Sequence, residues 1–253
     1  MPRITLLGSA ATLAGRENDS IYLLLQSGAG DYLVDCGGSP PHKLAQVGVD
    51  LGRIRGVLLT HDHSDHMYGF PILVQALMLL NWEERWSGEL LVWGLPETLS
   101  TARALLNLFH LANRIPISFR PLLPEPGFLA LETDDVRVYC TLVDHSRPAV
   151  GVRIEGRASG RVLAYSSDTR PCPGLLQLAA GADILLHEAT VLEPGMGHST
   201  CWQAGETATL AGAGRLVLVH FDPGRDRSTM LAEAAKRFDG PVEVGRDWMT
   251  FDL

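Results

Sequence analysis

Closely spaced cysteines are missing from this sequence. Its four cysteines, Cys36, Cys140, Cys172 and Cys201, are scattered and form no C-x-x-C pair. A chain of 253 residues can also bury enough apolar surface to fold without disulfide bonds. The sequence therefore predicts free thiols and a reducing, cytoplasmic setting.

Long apolar runs and positive charge are also scarce. The longest apolar run, at 72–80, is interrupted by Gln75 and is too short to cross a bilayer. The sequence shows no apolar secretory segment near Met1. Its formal net charge is −8, which argues against broad adhesion to nucleic acid or to an anionic membrane. No membrane contact is predicted, but a local basic pocket is compatible with this charge.

One short stretch concentrates the polar chemistry of the chain. His61, His63, Asp65 and His66 directly follow a predicted buried strand that ends at Thr60. Imidazole nitrogen and carboxylate oxygen are ligands for zinc, manganese or iron. A polar loop that merely caps the next helix is the alternative. The density of ligand-type side chains favours a metal site.

The rest of the chain alternates strand and helix patterns, which predicts an α/β fold. Predicted strands cover 4–7, 21–25, 32–35, 56–60, 89–93, 136–143, 150–154, 161–165, 183–186 and 215–219, with two more at the C-terminal end. Predicted helices cover 40–48, 67–80, 95–112, 174–180, 201–211 and 228–238.

Polar side chains follow several of these strands at the point where each strand ends. They are His145, Asp168, the pair His187-Glu188, and His220. Strand ends of layered α/β folds meet along one edge, where rigid supports position active-site residues. We therefore expect these side chains to join the histidine-rich loop.

Together the residues predict a site for two divalent metal ions. A carboxylate shared between the ions offsets their mutual repulsion, and such sites activate water near neutral pH for hydrolysis. We expect zinc, with manganese or iron as alternatives. The predicted ligands are His61, His63 and His145 for one ion, Asp65, His66 and His220 for the other, and Asp168 as the bridge.

This ligand pattern resembles that of the metallo-β-lactamase superfamily. The resemblance implies a four-layered αββα sandwich, predicted here as a single domain over 1–253. Narrower motifs resemble the ribonuclease Z group, and they imply phosphodiester cleavage by a hydroxide that bridges the metals. These motifs are Ser167-Asp168-Thr169-Arg170-Pro171, His187-Glu188-Ala189-Thr190, Gly197-His198-Ser199-Thr200 and Leu218-Val219-His220-Phe221.

The resemblance also implies catalytic roles. His198 matches a histidine that donates a proton to the leaving oxygen, and Glu188 matches its supporting glutamate. Asp65 is expected to orient the nucleophile in addition to binding metal. The alternative for Glu188 and His198 is a structural ion pair.

A helix N-terminus is predicted beside His198, because Ser199, Thr200 and Gln203 form a capping-box pattern. Free N–H groups at such an end favour a phosphate. Ser199 and Thr200 are therefore candidate substrate contacts. Arg170, Arg225 and Arg227 are candidate phosphate contacts near the metal-binding loops, although solvated surface arginines are the commoner explanation. His187, in contrast, is expected to be a buried, hydrogen-bonded residue, and His42 and His110 are expected to have no role in the site.

Two departures from the ribonuclease Z pattern bear on the substrate. One hairpin fills the interval from His145 to Asp168, where short forms of that group carry the arm that grips transfer RNA. Asp222 follows Phe221 and alters the group's His-x-Ser-Pro-Arg pattern. A small phosphodiester is therefore favoured over transfer RNA as the substrate.

Three other functions stay open from the sequence. The first is a transfer-RNA 3′-processing endoribonuclease, and the second is an arylsulfatase- or lactonase-like hydrolase. The third is a non-catalytic metal-binding sensor or scaffold. The resemblance further implies a homodimer. The apolar segments 77–82 and 105–109 suit a dimer interface, a pocket wall or, preferably, ordinary core.

Overall fold

Two seven-stranded sheets form the centre of the computed structural model, which describes residues 1–253. Strands are numbered in chain order. The first sheet has the spatial order β14 (Thr250–Asp252), β1 (Arg3–Gly8), β2 (Tyr22–Ser27), β3 (Gly30–Val34), β4 (Ile54–Leu58), β5 (Leu90–Gly94) and β6 (Ile117–Pro121). The second has the order β13 (Val242–Val244), β12 (Leu216–Val219), β11 (Ile184–Glu188), β10 (Val162–Tyr165), β9 (Ala149–Gly156), β8 (Val136–Val143) and β7 (Phe128–Glu132).

Helices cover the outer face of each sheet. The first sheet carries α1 (Pro40–Gln46), α2 (Ser64–Met67), α3 (Phe70–Trp82) and α4 (Pro96–Leu108), and the second carries α5 (Pro173–Ala179), α6 (Cys201–Ala211) and α7 (Arg227–Ala235). The predicted αββα sandwich is confirmed. None of these helices combines the length and the apolar character needed to span a membrane.

Side-chain alternation explains how each strand serves two apolar layers. In β2, Leu23 and Leu25 face the core between the sheets, whereas Tyr22 and Leu24 face the core beneath the helices. The inner strands are buried on both faces, so they are nearly continuous apolar runs. The core between the sheets contains 25 buried residues and draws on both sheets.

Several predicted boundaries differ from the structure. The strand before the histidine-rich loop ends at Leu58, not Thr60, and the helix predicted over 67–80 divides into α2 and α3 at Gly69. A Cβ atom at Gly69 would lie 2.0 Å from the carbonyl oxygen of Gly38, so the backbones touch at this break. The helix predicted over 95–112 ends at Leu108, and β6 and β7 flank the proline-rich loop, where no strand boundaries were predicted.

The predicted polar residues do lie at strand ends, and the backbone there is unusual. Asp35, Ser167 and His220 follow β3, β10 and β12 and have φ values of 63°, 54° and 50°. Non-glycine residues seldom adopt this left-handed conformation, and its cost is of order 1–3 kcal/mol each. These three strained positions turn the chain sharply where the strands end and bring the following residues to one edge.

Candidate metal centre

One group of ligand-type atoms is formed by the histidine-rich loop and the end of β8. His63 Nδ1 lies 3.2 Å from both His61 Nε2 and His145 Nε2. Asp168 Oδ2 lies 3.7 Å from His61 Nε2 and 4.0 Å from His145 Nε2. All four atoms therefore surround one point, as ligands of a single cation would.

A second group lies beside the first. His66 Nε2 and His220 Nε2 are 3.4 Å apart, and Asp65 Oδ2 is 3.9 Å and 3.4 Å from them respectively. Asp168 belongs to this group as well, because its Oδ1 lies 3.4 Å from His66 Nε2 and its Oδ2 lies 3.4 Å from His220 Nε2. The structure thus brings all seven predicted ligand residues together, with Asp168 between the two groups.

The hydrogen-bond partners of the outer ring nitrogens indicate that the short distances between histidines are not ordinary hydrogen bonds. The Nδ1–H groups of His145 and His66 donate to the carbonyl of Gly197 and to Asp35 Oδ2, each at 2.8 Å. In the neutral rings, Nε2 then carries the lone pair that a metal ion can bind. In the same way His220 Nδ1–H donates to Thr190 Oγ1 at 2.7 Å. Unprotonated nitrogens that face one another repel unless a cation lies between them.

Asp168 fits the same interpretation. Its carboxylate is buried, and its Oδ1 has no hydrogen-bond donor. Burial opposes ionisation, but the interactions with the neighbouring imidazoles of His220, His66 and His61 outweigh it and hold the pKa of Asp168 well below its usual range. An ionised, buried carboxylate without a donor is costly unless it binds metal. The donor set is therefore suited to divalent metal ions.

A hydrogen-bonded pair lies at the edge of these groups. Glu188 Oε1 is 2.8 Å from His198 Nδ1, and the same carboxylate accepts from the backbone N–H groups of Thr169 and Thr190. The His198 ring is 4.8 Å from that of His145 and stacks at 5.8 Å on that of His220. Burial lowers the pKa of His198, but its hydrogen bond to Glu188 and the charge of that carboxylate outweigh burial and raise it. Glu188 therefore stabilises the protonated form of His198.

The candidate substrate contacts are already engaged in the protein. Ser199 is buried, and its hydroxyl donates to the Thr169 carbonyl at 2.7 Å. Thr200 and Gln203 form the predicted capping box of α6. Arg170 is exposed and donates to Asp144 at 2.7 Å, and Arg225 donates to the Ala189 carbonyl. A further arginine, Arg227, lies beside Asn18.

The remaining histidines lie outside the two groups. His187 is buried and its Nδ1–H donates to the Glu188 carbonyl at 2.7 Å, whereas His42 and His110 are exposed. An open cleft of about 560 Å³ leads to the ligand atoms, and Thr12, Leu13, His63, Asp168, His198 and Asp222 are among its lining residues.

Several supporting residues were not identified from the sequence. Asp35 accepts from Thr60 N and Thr60 Oγ1 while it holds His66, and Thr12 Oγ1 donates to Asp65 Oδ2 at 2.6 Å. Thr190 links His220 to Glu188 through its hydroxyl. Asp35 follows a strand, as the other polar residues of the site do. This position is the one feature of the sequence that indicates a role for Asp35 in the site.

Comparison with known proteins gives the same picture. The family model described as β-lactamase superfamily domain matches residues 31–221. The chain belongs to this superfamily. Among superfamily members, the ribonuclease Z of Mycolicibacterium gilvum is 32% identical over 279 aligned positions, which cover 98% of this chain and 94% of that protein. The chain is a metal-dependent hydrolase of the ribonuclease Z group.

Solved structures of the superfamily share the fold. The metallo-β-lactamase fold protein YhfI from Bacillus subtilis superposes with a TM-score of 0.83 at 22% identity, covering 99% of this chain and 98% of that one. The short form of human tRNase Z has a TM-score of 0.79 at 23% identity, covering 99% of both chains. Both similarities show the metallo-β-lactamase fold.

Proposed function

We propose that the chain hydrolyses a phosphodiester, using water to break one P–O ester bond and releasing an alcohol and a phosphomonoester. The observation that carries this proposal is the Glu188–His198 pair beside the two ligand groups. A metal site alone would suit many hydrolases. An oriented proton donor at its edge suits an ester with a poor leaving group.

We assign the ligands as the sequence predicts, with zinc as the expected metal. The chemistry that two divalent ions supply in such a site is activation of water and polarisation of the phosphoryl group. One site uses His61, His63 and His145, the other uses Asp65, His66 and His220, and Asp168 serves both.

His198 is the group that protonates the leaving oxygen. Its Nδ1–H donates to Glu188, which leaves Nε2–H of the protonated ring free to deliver a proton. Glu188 favours that charged form and fixes the ring orientation. Asp65 orients the attacking water, and its own position is held by the Thr12 hydroxyl.

A small diester is the favoured substrate. The alignment with the M. gilvum relative has 279 positions, more than the 253 residues of this chain, so the relative carries segments that have no counterpart here. This agrees with the single hairpin formed by β9 and β10 in the interval where an RNA-binding arm is expected. Transfer-RNA 3′ processing is the second candidate, because the relatives are named ribonuclease Z.

The decisive experiment compares catalytic efficiency on bis(p-nitrophenyl) phosphate and on 3′-extended transfer RNA, using metal-loaded protein. We expect rapid cleavage of the small diester and negligible processing of the RNA. Efficient cleavage at the correct RNA position would instead establish the second candidate. No turnover of either substrate would contradict phosphodiester hydrolysis.

The leaving group tests the role of His198. A good leaving group such as p-nitrophenolate needs little protonation, whereas a nucleoside alkoxide needs much. His198→Ala is expected to slow cleavage of a dinucleoside monophosphate by about 10²–10⁴-fold and to affect the nitrophenyl ester far less. His42→Ala, which changes an exposed histidine outside the site, is the control. Equal losses on both esters would contradict proton donation by His198.

We also propose that two copies of the chain associate through α3. Ile72, Leu79 and Trp82 lie on one face of this helix and are 49%, 47% and 63% exposed. Leu108 and Phe109, at the end of the adjacent α4, are 69% and 57% exposed. A cytoplasmic location is proposed on the basis of the four free cysteines.

A further inference from the structure

The cleft over the ligand groups contains no lysine or arginine side chain. Its charged lining residues are Asp65, Asp168 and Asp222, and neither lysine nor arginine borders it. Two arginines that follow site residues in the sequence are paired with carboxylates outside the cleft lining. Arg147 donates to Asp62 at 2.6 Å, and Arg170 donates to Asp144 at 2.7 Å.

Asp222 differs from the other two carboxylates. Asp65 and Asp168 face the histidines, whereas Asp222 is exposed and forms no ion pair. Its Oδ1 accepts a single hydrogen bond, from the Gly224 backbone N–H at 2.8 Å, which holds the carboxylate in a turn after β12. The cleft therefore presents one fixed and uncompensated negative charge near His220.

The cleft also offers apolar surface. Ala11 and Leu13 line it, and Leu13 is 68% exposed. An exposed apolar side chain in such a cleft suits a nucleobase or an aryl group more than a second phosphate.

We propose that Asp222 is a specificity-determining residue that selects esters with a single negative charge and rejects esters with a flanking phosphate. This inference rests on the proposed function and narrows its substrate class. A phosphate next to the scissile diester would meet the Asp222 carboxylate, and the cleft has no lysine or arginine to neutralise either group. Long RNA, which has a charge at every linkage, is the extreme case of such a substrate.

Two substrates with the same scissile bond test the proposal. Thymidine 5′-(p-nitrophenyl phosphate) carries one negative charge, and its 3′-phosphorylated analogue adds a flanking phosphate. At low ionic strength we expect the wild type to prefer the first substrate, and Asp222→Asn to reduce that preference about three- to thirtyfold. Asp222→Glu should retain the preference, and high salt should reduce it in the wild type.

The choice of variants separates charge from structure. Asparagine keeps the Oδ1 acceptor for Gly224 N–H, so the turn is preserved while the charge is lost. Glu193→Gln removes an exposed carboxylate from the loop before His198 without altering the cleft lining, and it should leave the preference unchanged. The same preference in Asp222→Asn as in the wild type would overturn the proposal.

A binding measurement separates this inference from the proposed function. Calorimetry with thymidine 5′-phosphate and thymidine 3′,5′-bisphosphate needs no turnover. If neither diester is cleaved but Asp222→Asn improves binding of the bisphosphate relative to the monophosphate, the proposed function fails and the charge selection stands. If both diesters are cleaved and neither ratio responds to Asp222→Asn, only the charge selection fails.

Discussion

Asp35 is the residue that positions His66. It is fully buried and in a left-handed conformation, and its two oxygens accept from Thr60 N, Thr60 Oγ1 and His66 Nδ1–H. Partners of this kind fix the tautomer of a metal-binding histidine, and their loss typically weakens metal affinity 10–100-fold.

Asp35→Asn should lower zinc affinity by that factor. Asparagine has a single acceptor oxygen. When that oxygen accepts from Thr60 N, the amide NH₂ group faces Thr60 Oγ1 and His66 Nδ1, so His66 is driven to the tautomer with its proton on Nε2, where the metal should bind. Asparagine tolerates positive φ, so the fold should persist. Metal content after dialysis at buffered free zinc measures the effect.

The matched control for this change is Asp62→Asn, whose carboxylate pairs with Arg147 and Thr101 outside the ligand groups. Its metal content should stay that of the wild type. Full zinc occupancy in Asp35→Asn at the same free zinc would show that Asp35 does not control the tautomer of His66.

The difference between local and distant neighbours explains which site residues are predictable. His61, His63, Asp65 and His66 lie within six residues, so spacing alone indicates a metal site. Asp35 reaches His66 only because β3 and β4 are adjacent parallel strands, which the sequence does not specify. The hydrogen-bond partners of Arg170 and Ser199 likewise come from residues that are neighbours only in the fold. The sequence therefore suggests both residues as substrate contacts, although in the structure each already donates to another part of the protein.

At the scale of elements, the spacing of apolar residues along the sequence predicts most strands and helices. The boundaries are less predictable because they depend on contacts between elements. The break between α2 and α3 at Gly69, for example, is set by its contact with Gly38. Strands β6 and β7 lie at sheet edges and are only partly buried, so their apolar signal is weak.

A carboxylate joins two hairpins that belong to different sheets. Asp135, in the turn between β7 and β8, accepts from Ser27 Oγ at 2.7 Å and from Gly28 N at 2.8 Å in the β2–β3 hairpin. Asp135 also accepts a hydrogen bond from Thr133 Oγ1, in the same turn, at 2.8 Å. Burial opposes ionisation, but the hydrogen bonds from Gly28, Ser27 and Thr133 outweigh it and hold the pKa of Asp135 below its usual range.

This lowered pKa makes the contribution of Asp135 to stability dependent on pH. The contribution is present above the pKa of the unfolded chain and is lost as pH falls through the pKa of the folded protein. Asp135→Asn should reduce the free energy of unfolding at pH 7 by about 1 kcal/mol, since the site is partly exposed. The difference in free energy of unfolding between this variant and the wild type, measured by urea unfolding, should shrink as the pH is lowered toward 3. Asp134→Asn, at the exposed neighbouring position, is the control. A difference that stays constant with pH would contradict the ionic origin.

At the scale of the whole molecule, the strand ends of the two packed sheets lie side by side along one edge, and the ligands come from both sheets. His61, His63, Asp65 and His66 follow β4 of the first sheet, whereas His145, Asp168 and His220 follow strands of the second. Metal binding should therefore join the two halves of the sandwich. We propose that residues 1–253 unfold as one domain, because the 25-residue core between the sheets is shared by both halves.

Chelation should consequently lower the melting temperature of the whole chain and not of one part. A ligand at 100 times its dissociation constant stabilises the folded state by about 2.7 kcal/mol, and 1 kcal/mol shifts the melting temperature of a chain of this size by about 2–4 °C. Loss of each bound ion should thus lower it by about 5–10 °C, with one calorimetric transition before and after chelation.

Asp168→Asn removes a ligand from both groups, so this variant should melt at a lower temperature and respond little to the chelator. Two separate transitions would contradict the single domain. The ligands of each site come from both halves of the sandwich. If the chelator left the melting temperature of the wild type unchanged, metal would therefore not hold the sheets together.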